Sequence, residues 1–267
     1  LTGGGFFAHT LASDLPFLLD WSTKTKAVVI APEYALLPET FPVALNQIIG
    51  IYQAIVGDPG AESILPFEID SICLTGESAG GNLAAALCVH LIREGQAESN
   101  ISPSDAQLSE QLQDHAPMMT TTKRVPDCMM LSCPALDLSL EELSRSPVNF
   151  REDPVLPKGL LTAISDAYLQ GVDRKDPFCS PLYSSDDVLQ HFPPTLLFAS
   201  SDDPLLDDAV AFNDRLQRLR VPSELRAATN VPHAYLGLAT AGFPEAVEQH
   251  EYAMRWLLDK FNRPRPA

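Results

Sequence analysis

The chain has 267 residues, 45% of them apolar, and its 35 Asp and Glu outweigh 18 Lys and Arg to give a formal charge of −17. That length suits one large α/β unit with a substantial core, and that composition excludes global disorder. The negative charge repels nucleic-acid phosphates and anionic headgroups, and no apolar run reaches the roughly 18 residues of a membrane span, so neither nucleic acid nor a stable membrane anchor is expected.

Residues 1–5, Leu-Thr-Gly-Gly-Gly, read as a strand end entering a loop. Hydrophobic spacing predicts a helix over 10–22, a strand over 27–31, a helix over 42–56, a strand over 71–75 and a helix over 79–93. A stretch rich in Gln, Ser, Asp and Thr at 95–126 reads as a polar surface insertion. After a strand at 128–132, the segment 138–190 carries several prolines and one good helix over 157–170; it is long for a crossover and reads as containing a cap. Strands at 195–199 and 223–227 and helices at 207–220 and 244–261 complete the series. The last two helices place Val210, Leu216 and Leu219, then Val247, Ala253, Trp256 and Leu257, at helical spacing. Asp207 and Asp208 stand where a helix start prefers carboxylates. This alternation implies a mostly parallel sheet flanked by helices, in one domain over 1–267.

The cysteines at 73, 88, 128, 133 and 179 are odd in number and scattered, without metal-site spacing. They read as packing thiols, which favours a reducing, cytoplasmic compartment over a disulfide framework.

Gly76-Glu77-Ser78-Ala79-Gly80 joins the apolar run Ile72-Cys73-Leu74 to the small-residue helix that begins at Ala79. A G-x-S-x-G turn between strand and helix holds its serine in a strained, exposed conformation, and the flanking glycines let strand and helix pass closely. Ser78 is therefore the candidate nucleophile. Acyl transfer to a serine creates an oxyanion that needs fixed donors. The glycine loop Thr2-Gly3-Gly4-Gly5-Phe6 and the amide of Ala79 are the candidates to supply them.

The nucleophile needs a base, and the base an orienting carboxylate, in the chain order serine, acid, histidine. Ser200-Ser201-Asp202-Asp203-Pro204-Leu205 follows one predicted strand, and Asn230-Val231-Pro232-His233 follows the next. Both loops leave carboxyl ends of parallel strands, where such sheets carry their sites. His233 is the candidate base. His9, His90, His115 and His191 precede the acidic loop, and His250 is expected on the surface of the C-terminal helix. Spacing alone leaves Asp202 and Asp203 both open as the acid.

Thr2-Gly3-Gly4-Gly5-Phe6 together with Gly76-Glu77-Ser78-Ala79-Gly80-Gly81 resembles the hormone-sensitive lipase-like family of α/β-hydrolases, whose hallmark is an H-G-G-G loop and a G-[D/E]-S-A-G-G elbow. Glu33-Tyr34-Ala35-Leu36-Leu37-Pro38-Glu39, Ser132-Cys133-Pro134-Ala135-Leu136-Asp137-Leu138-Ser139 and Ser180-Pro181-Leu182 resemble further family segments. The resemblance implies an α/β-hydrolase fold and a carboxylesterase working through Ser78, Asp203 and His233. Asp203 is selected because Asp203-Pro204-Leu205-Leu206-Asp207 matches the family's D-P-L-x-D. It also implies oxyanion donors at Gly4, Gly5 and Ala79, a small-molecule ester as substrate, and no metal or organic cofactor. Thr2 stands where the family has a histidine that holds the glycine loop, so a looser loop is expected. The family has strands and a cap segment ahead of that loop; a partial cap and a sheet without those strands are the expectation here. The alternative is a receptor-like, non-catalytic ligand binder on the same scaffold, against which the retention of Ser78, Asp203 and His233 speaks.

Overall fold

The computed structural model describes residues 1–8, 11–57, 64–99, 124–141 and 153–262. Most of the predicted insertion (100–123), part of the predicted cap segment (142–152), and His9 and His115 lie outside them.

Helices α1 (Leu11–Thr25) and α2 (Val43–Val56) precede strand β1 (Cys73–Glu77), which turns directly into α3 (Ala79–Ser99). Strand β2 (Cys128–Ser132), helix α4 (Lys158–Tyr168), the short helix α5 (Asp186–Leu189) and strand β3 (Thr195–Ser200) follow. Helix α6 (Leu206–Arg218), strand β4 (Ser223–Ala228) and helix α7 (Pro244–Phe261) end the series. The strands pair in the order β1-β2-β3-β4, all parallel, with Gly76 beside Leu131, Leu131 beside Leu197 and Leu197 beside Leu225.

The central strands are apolar throughout because both faces of the sheet are covered. Met129, Leu131, Leu197 and Ala199 point to one face, where they pack with Ala84, Cys88 and Ile92 of α3 and Ala209, Phe212 and Leu216 of α6. The alternate residues Cys128, Met130, Leu196 and Phe198 point to the other face, against Trp21 of α1 and Ala253, Met254 and Leu257 of α7. A third cluster joins Phe6 of the glycine loop and Leu45 and Ile48 of α2 to Leu83 and Leu87 of α3 and Leu161, Ile164 and Tyr168 of α4. Helix α6 shows why it forms: Ala209, Phe212, Asn213 and Leu216 make one buried stripe, with Asp207 and Asp208 in the first turn and Arg215 and Arg218 in the last.

Several expectations need correction. No strand forms over 27–31: the segment has no ladder partners among the described residues and leaves Val28 64% and Ile30 43% exposed. Its apolar run suits a strand, but β1 pairs with β2, and an apolar cavity of about 490 Å³ is lined by Cys73, Leu74 and Thr75 of β1 on one hand and Val28, Val29 and Ile30 on the other. Strand β1 starts two residues later than predicted and carries the elbow's Gly76 and Glu77. Helix α3 continues through 94–99, so the polar stretch from 95 begins as helix. Val210 is exposed, the buried stripe of α6 running through Ala209 instead. His250 is buried, not at the surface: it accepts the Trp21 indole N–H at 3.3 Å and pairs with Asp20 at 2.6 Å, tying α7 to α1.

Candidate active site

Ser78 has a left-handed backbone (φ 53°) at the junction of β1 and α3. The flanking glycines are required by contact: a Cβ on Gly76 would lie 2.2 Å from the Gly80 carbonyl oxygen, and one on Gly80 would lie 2.2 Å from the Leu1 carbonyl oxygen. The elbow is pinned from the next strand, Ser78 N–H donating to Ser132 O at 2.9 Å. On the first turn of α3, the buried Asn82 amide donates to Ala135 O and Cys179 O, both at 2.7 Å, and so fastens two neighbouring loops to the nucleophile helix.

The glycine loop lies against this elbow. Leu1 donates to Thr75 O at 2.7 Å and accepts from Glu77 N at 3.2 Å, a parallel ladder step beside Gly76. Phe6 stacks on Tyr168 of α4 with ring centroids 3.9 Å apart and 4° between planes. The Thr2 hydroxyl is buried without a hydrogen-bond partner among the described residues, and the glycine loop is held through its main chain instead. The Tyr34 hydroxyl donates to Thr2 O at 2.7 Å, and Leu37 N donates to Phe6 O at 2.7 Å, so the segment after 32 anchors the loop. Among the described residues, no backbone carbonyl accepts the amides of Gly4, Gly5 or Ala79.

His233 follows β4, and its Nε2 lies 2.8 Å from Ser78 Oγ while its Nδ1 lies 2.7 Å from Asp203 Oδ2. All three side chains are buried. Asp203 follows β3, and its other oxygen accepts Leu205 N at 2.9 Å. Asp202, left open by spacing, instead accepts the Ser201 hydroxyl at 3.5 Å and is only partly buried. The two loops are joined by the Ser200 hydroxyl, which donates to Val231 O. The other described histidines before the acid stay elsewhere: His90 pairs with Glu94 at 3.1 Å, and His191 bonds to Asp187 O at 2.9 Å.

Burial works against a charged His233, but the hydrogen bond and charge of Asp203, then the charges of Glu77 and Asp153, outweigh it and hold the imidazole above its ordinary pKa. Glu77, beside the nucleophile, is pushed up to about 7, chiefly by burial, with His233 opposing the rise. Its place beside Ser78 suggests a structural or substrate-contact role for Glu77; the structure adds that its charge acts on His233. Sequence reasoning missed Asp208, whose carboxyl accepts Leu136 N at 3.2 Å and Asp137 N at 2.9 Å and is raised well above the usual range by burial. The helix-start position of Asp208 concealed this second use.

Among the described residues, Cys133, Asp203 and His233 bring metal-ligating atoms within 4.8 Å of one another. The Asp203–His233 separation of 2.7 Å is that of a charge-assisted hydrogen bond. Two ligands of one tetrahedral zinc stand roughly 3.3 Å apart, given metal–ligand distances near 2.05 Å. The cluster's geometry is thus that of an acid–base pair with a thiol beside it.

A model of the alpha/beta hydrolase fold family matches residues 1–237, and the chain belongs to that family. Its relatives place it on the hormone-sensitive lipase-like side of the family. An esterase of Gibberella moniliformis is 30% identical over 236 residues, covering 87% of this chain and 64% of the relative. A hormone-sensitive lipase of Ictidomys tridecemlineatus is 23% identical across 89% of this chain and 50% of its own length. The chain thus spans just under two thirds of that esterase and half of that lipase. The crystal structure of carboxyl esterase 2 from Tuber melanosporum superposes with a TM-score of 0.74 at 20% identity, over 98% of this chain and 77% of the other, and shares its fold. No helix among the described residues is long and apolar enough to cross a membrane.

Proposed function

We propose that the chain hydrolyses carboxylic esters through an acyl-enzyme on Ser78. The observation that carries this is the continuous buried relay Ser78 Oγ–His233 Nε2, 2.8 Å, and His233 Nδ1–Asp203 Oδ2, 2.7 Å. Ser78 Oγ attacks the ester carbonyl carbon as His233 Nε2 takes its proton, and Asp203 holds the imidazole with its other proton on Nδ1. The amides of Gly4, Gly5 and Ala79, the last at the N-terminus of α3, receive the oxyanion. Collapse breaks the C–O bond, and the leaving alkoxide takes the proton from Nε2. Water then attacks the acyl carbon, gives its proton to Nε2, and the tetrahedral species expels Ser78, which recovers that proton as the carboxylic acid departs. No step in this sequence calls on a metal or organic cofactor.

Esterases among the relatives support a small-molecule ester as substrate. We assign α4 to the cap. Hydrolysis of p-nitrophenyl esters of increasing acyl length, by this chain and by Ser78→Ala, tests the reading. Turnover that disappears in Ser78→Ala supports it, and equal turnover in both proteins removes it. A receptor-like role has no observation of its own in its favour, because the relay is complete.

A further inference from the structure

The loop that carries His233 is an uncomfortable turn. Asn230 and Ala234 both have φ of 59°, a left-handed conformation unfavourable for residues with a Cβ. Such a turn holds its shape only where the surroundings fix it. One fixing point is the Ser200 hydroxyl on Val231 O. The other comes from far away in sequence. Asp153 Oδ2 accepts the His233 amide at 2.6 Å, while Asp153 Oδ1 accepts Val155 N at 2.7 Å and Leu156 N at 2.8 Å.

The two oxygens do different work. Oδ1 closes the turn that leads into α4, a common use for an Asp before a short turn. That use leaves Oδ2 unexplained. Asp153 is 3% exposed, and burying a carboxylate is costly unless each oxygen is used. Its second oxygen reaches across 80 positions of sequence to the backbone of the histidine that meets Ser78. On its own side, Leu156 just beyond the turn and Leu161, Ile164 and Tyr168 of α4 pack with Phe6 of the glycine loop and Ala79 of the elbow. One carboxylate therefore connects the segment that covers the oxyanion donors to the base.

We propose that Asp153 is a positioning residue, one that sets the register between the α4 segment and the His233 loop so that base and oxyanion donors are aligned together. This rests on the proposed function of Ser78, Asp203 and His233. The charged groups that face His233 are Asp203 after β3, Glu77 at the end of β1, and Asp153 before α4; the neutral Cys133 thiol after β2 lies within 4.8 Å. Asp153 adds to the negative field that favours the imidazolium.

Asp153→Asn separates the two uses. Its oxygen can keep the Val155 and Leu156 amides, which turns an NH₂ donor toward the His233 N–H donor. Asp153→Ser keeps a turn-closing hydroxyl but is too short to reach His233. Two measurements are made on each folded variant: the His233 imidazole pKa by NMR, which needs no turnover, and kcat and KM for p-nitrophenyl butyrate. The expected result is a lower His233 pKa in both variants and a kcat reduced about 10- to 100-fold, with KM changed less. Unchanged kcat in a folded variant overturns the proposal. A fall in kcat with an unmoved His233 pKa, or failure of both variants to fold, assigns Asp153 to the fold alone and overturns it as well. If the parent shows no esterase turnover, the ester-hydrolysis reading fails by itself, and the His233 titration decides for or against the Asp153 link.

Discussion

Asp203→Asn tests the relay at its least accessible member. Asp203 is 1% exposed, and its two oxygens have separate partners: Leu205 N at 2.9 Å and His233 Nδ1 at 2.7 Å. An asparagine fits the same space. With its oxygen kept on the Leu205 amide, its NH₂ faces His233 Nδ1. The imidazole then accepts at Nδ1 and carries its proton on Nε2, so it donates to Ser78 Oγ and cannot take the serine proton. The loss of charge also removes the main stabiliser of the imidazolium. Wrong tautomer and lost charge together cost about 10⁴ in kcat in Ser-His-Asp hydrolases, which is about 5.4 kcal/mol of activation free energy. The assay is steady-state hydrolysis of p-nitrophenyl butyrate, with far-UV circular dichroism to establish folding. Asp202→Asn is the internal comparison: its carboxylate lies on the Ser201 hydroxyl, so it should retain kcat within about threefold, as a surface change away from the relay does. A folded Asp203→Asn within tenfold of the parent, or an Asp202→Asn as impaired as Asp203→Asn, refutes the reasoning.

Five further outcomes follow from the structure. Because imidazole must be neutral to accept the serine proton and its pKa is raised, the acid limb of kcat/KM lies above the ordinary histidine value of about 6.5. Glu77→Gln removes a negative charge that favours the imidazolium, so the limb moves to lower pH; a limb that stays or moves upward contradicts this. Gly80→Ala drives a Cβ to 2.2 Å from Leu1 O and 2.5 Å from Thr2 O, parting the glycine loop from the elbow, and should cost about 1–3 kcal/mol of stability by urea unfolding with loss of activity. Gly50→Ala, in an exposed position of α2 with nothing within 4 Å, should instead stabilise by about 0.5–1 kcal/mol. Tyr34→Phe leaves Thr2 O without its 2.7 Å donor and should lower stability by about 1–3 kcal/mol, with kcat reduced through a freer glycine loop.

Much of the architecture is local and therefore legible in the sequence. The runs Cys128–Ser132 and Thr195–Ser200 are apolar because both faces of the sheet are covered, and the elbow's Gly76 answers to Gly80, within a few residues of Ser78. Other features depend on what lies across space. Residues 27–31 form an apolar run like a strand yet have no ladder partner among the described residues. The burial of His250 depends on Trp21 and Asp20 of a helix more than 200 positions earlier. The choice between Asp202 and Asp203 turns on which carboxylate faces β4's following loop, which spacing cannot express. Asp153 carries no motif at all: its contact with His233 is made by a backbone amide, which any residue except proline would offer, so no pair of residue types reveals it.

The central claim is that Ser78 becomes covalently acylated. Mass spectrometry of the intact protein and its peptides after treatment with a fluorophosphonate, a reagent that phosphonylates activated serines, measures this directly. The account predicts one adduct, on the peptide carrying Ser78, with loss of ester turnover in proportion to labelling and no adduct on Ser78→Ala. Labelling on another residue with Ser78 unmodified, or a folded protein that turns over esters while fully resistant to the reagent, would contradict it.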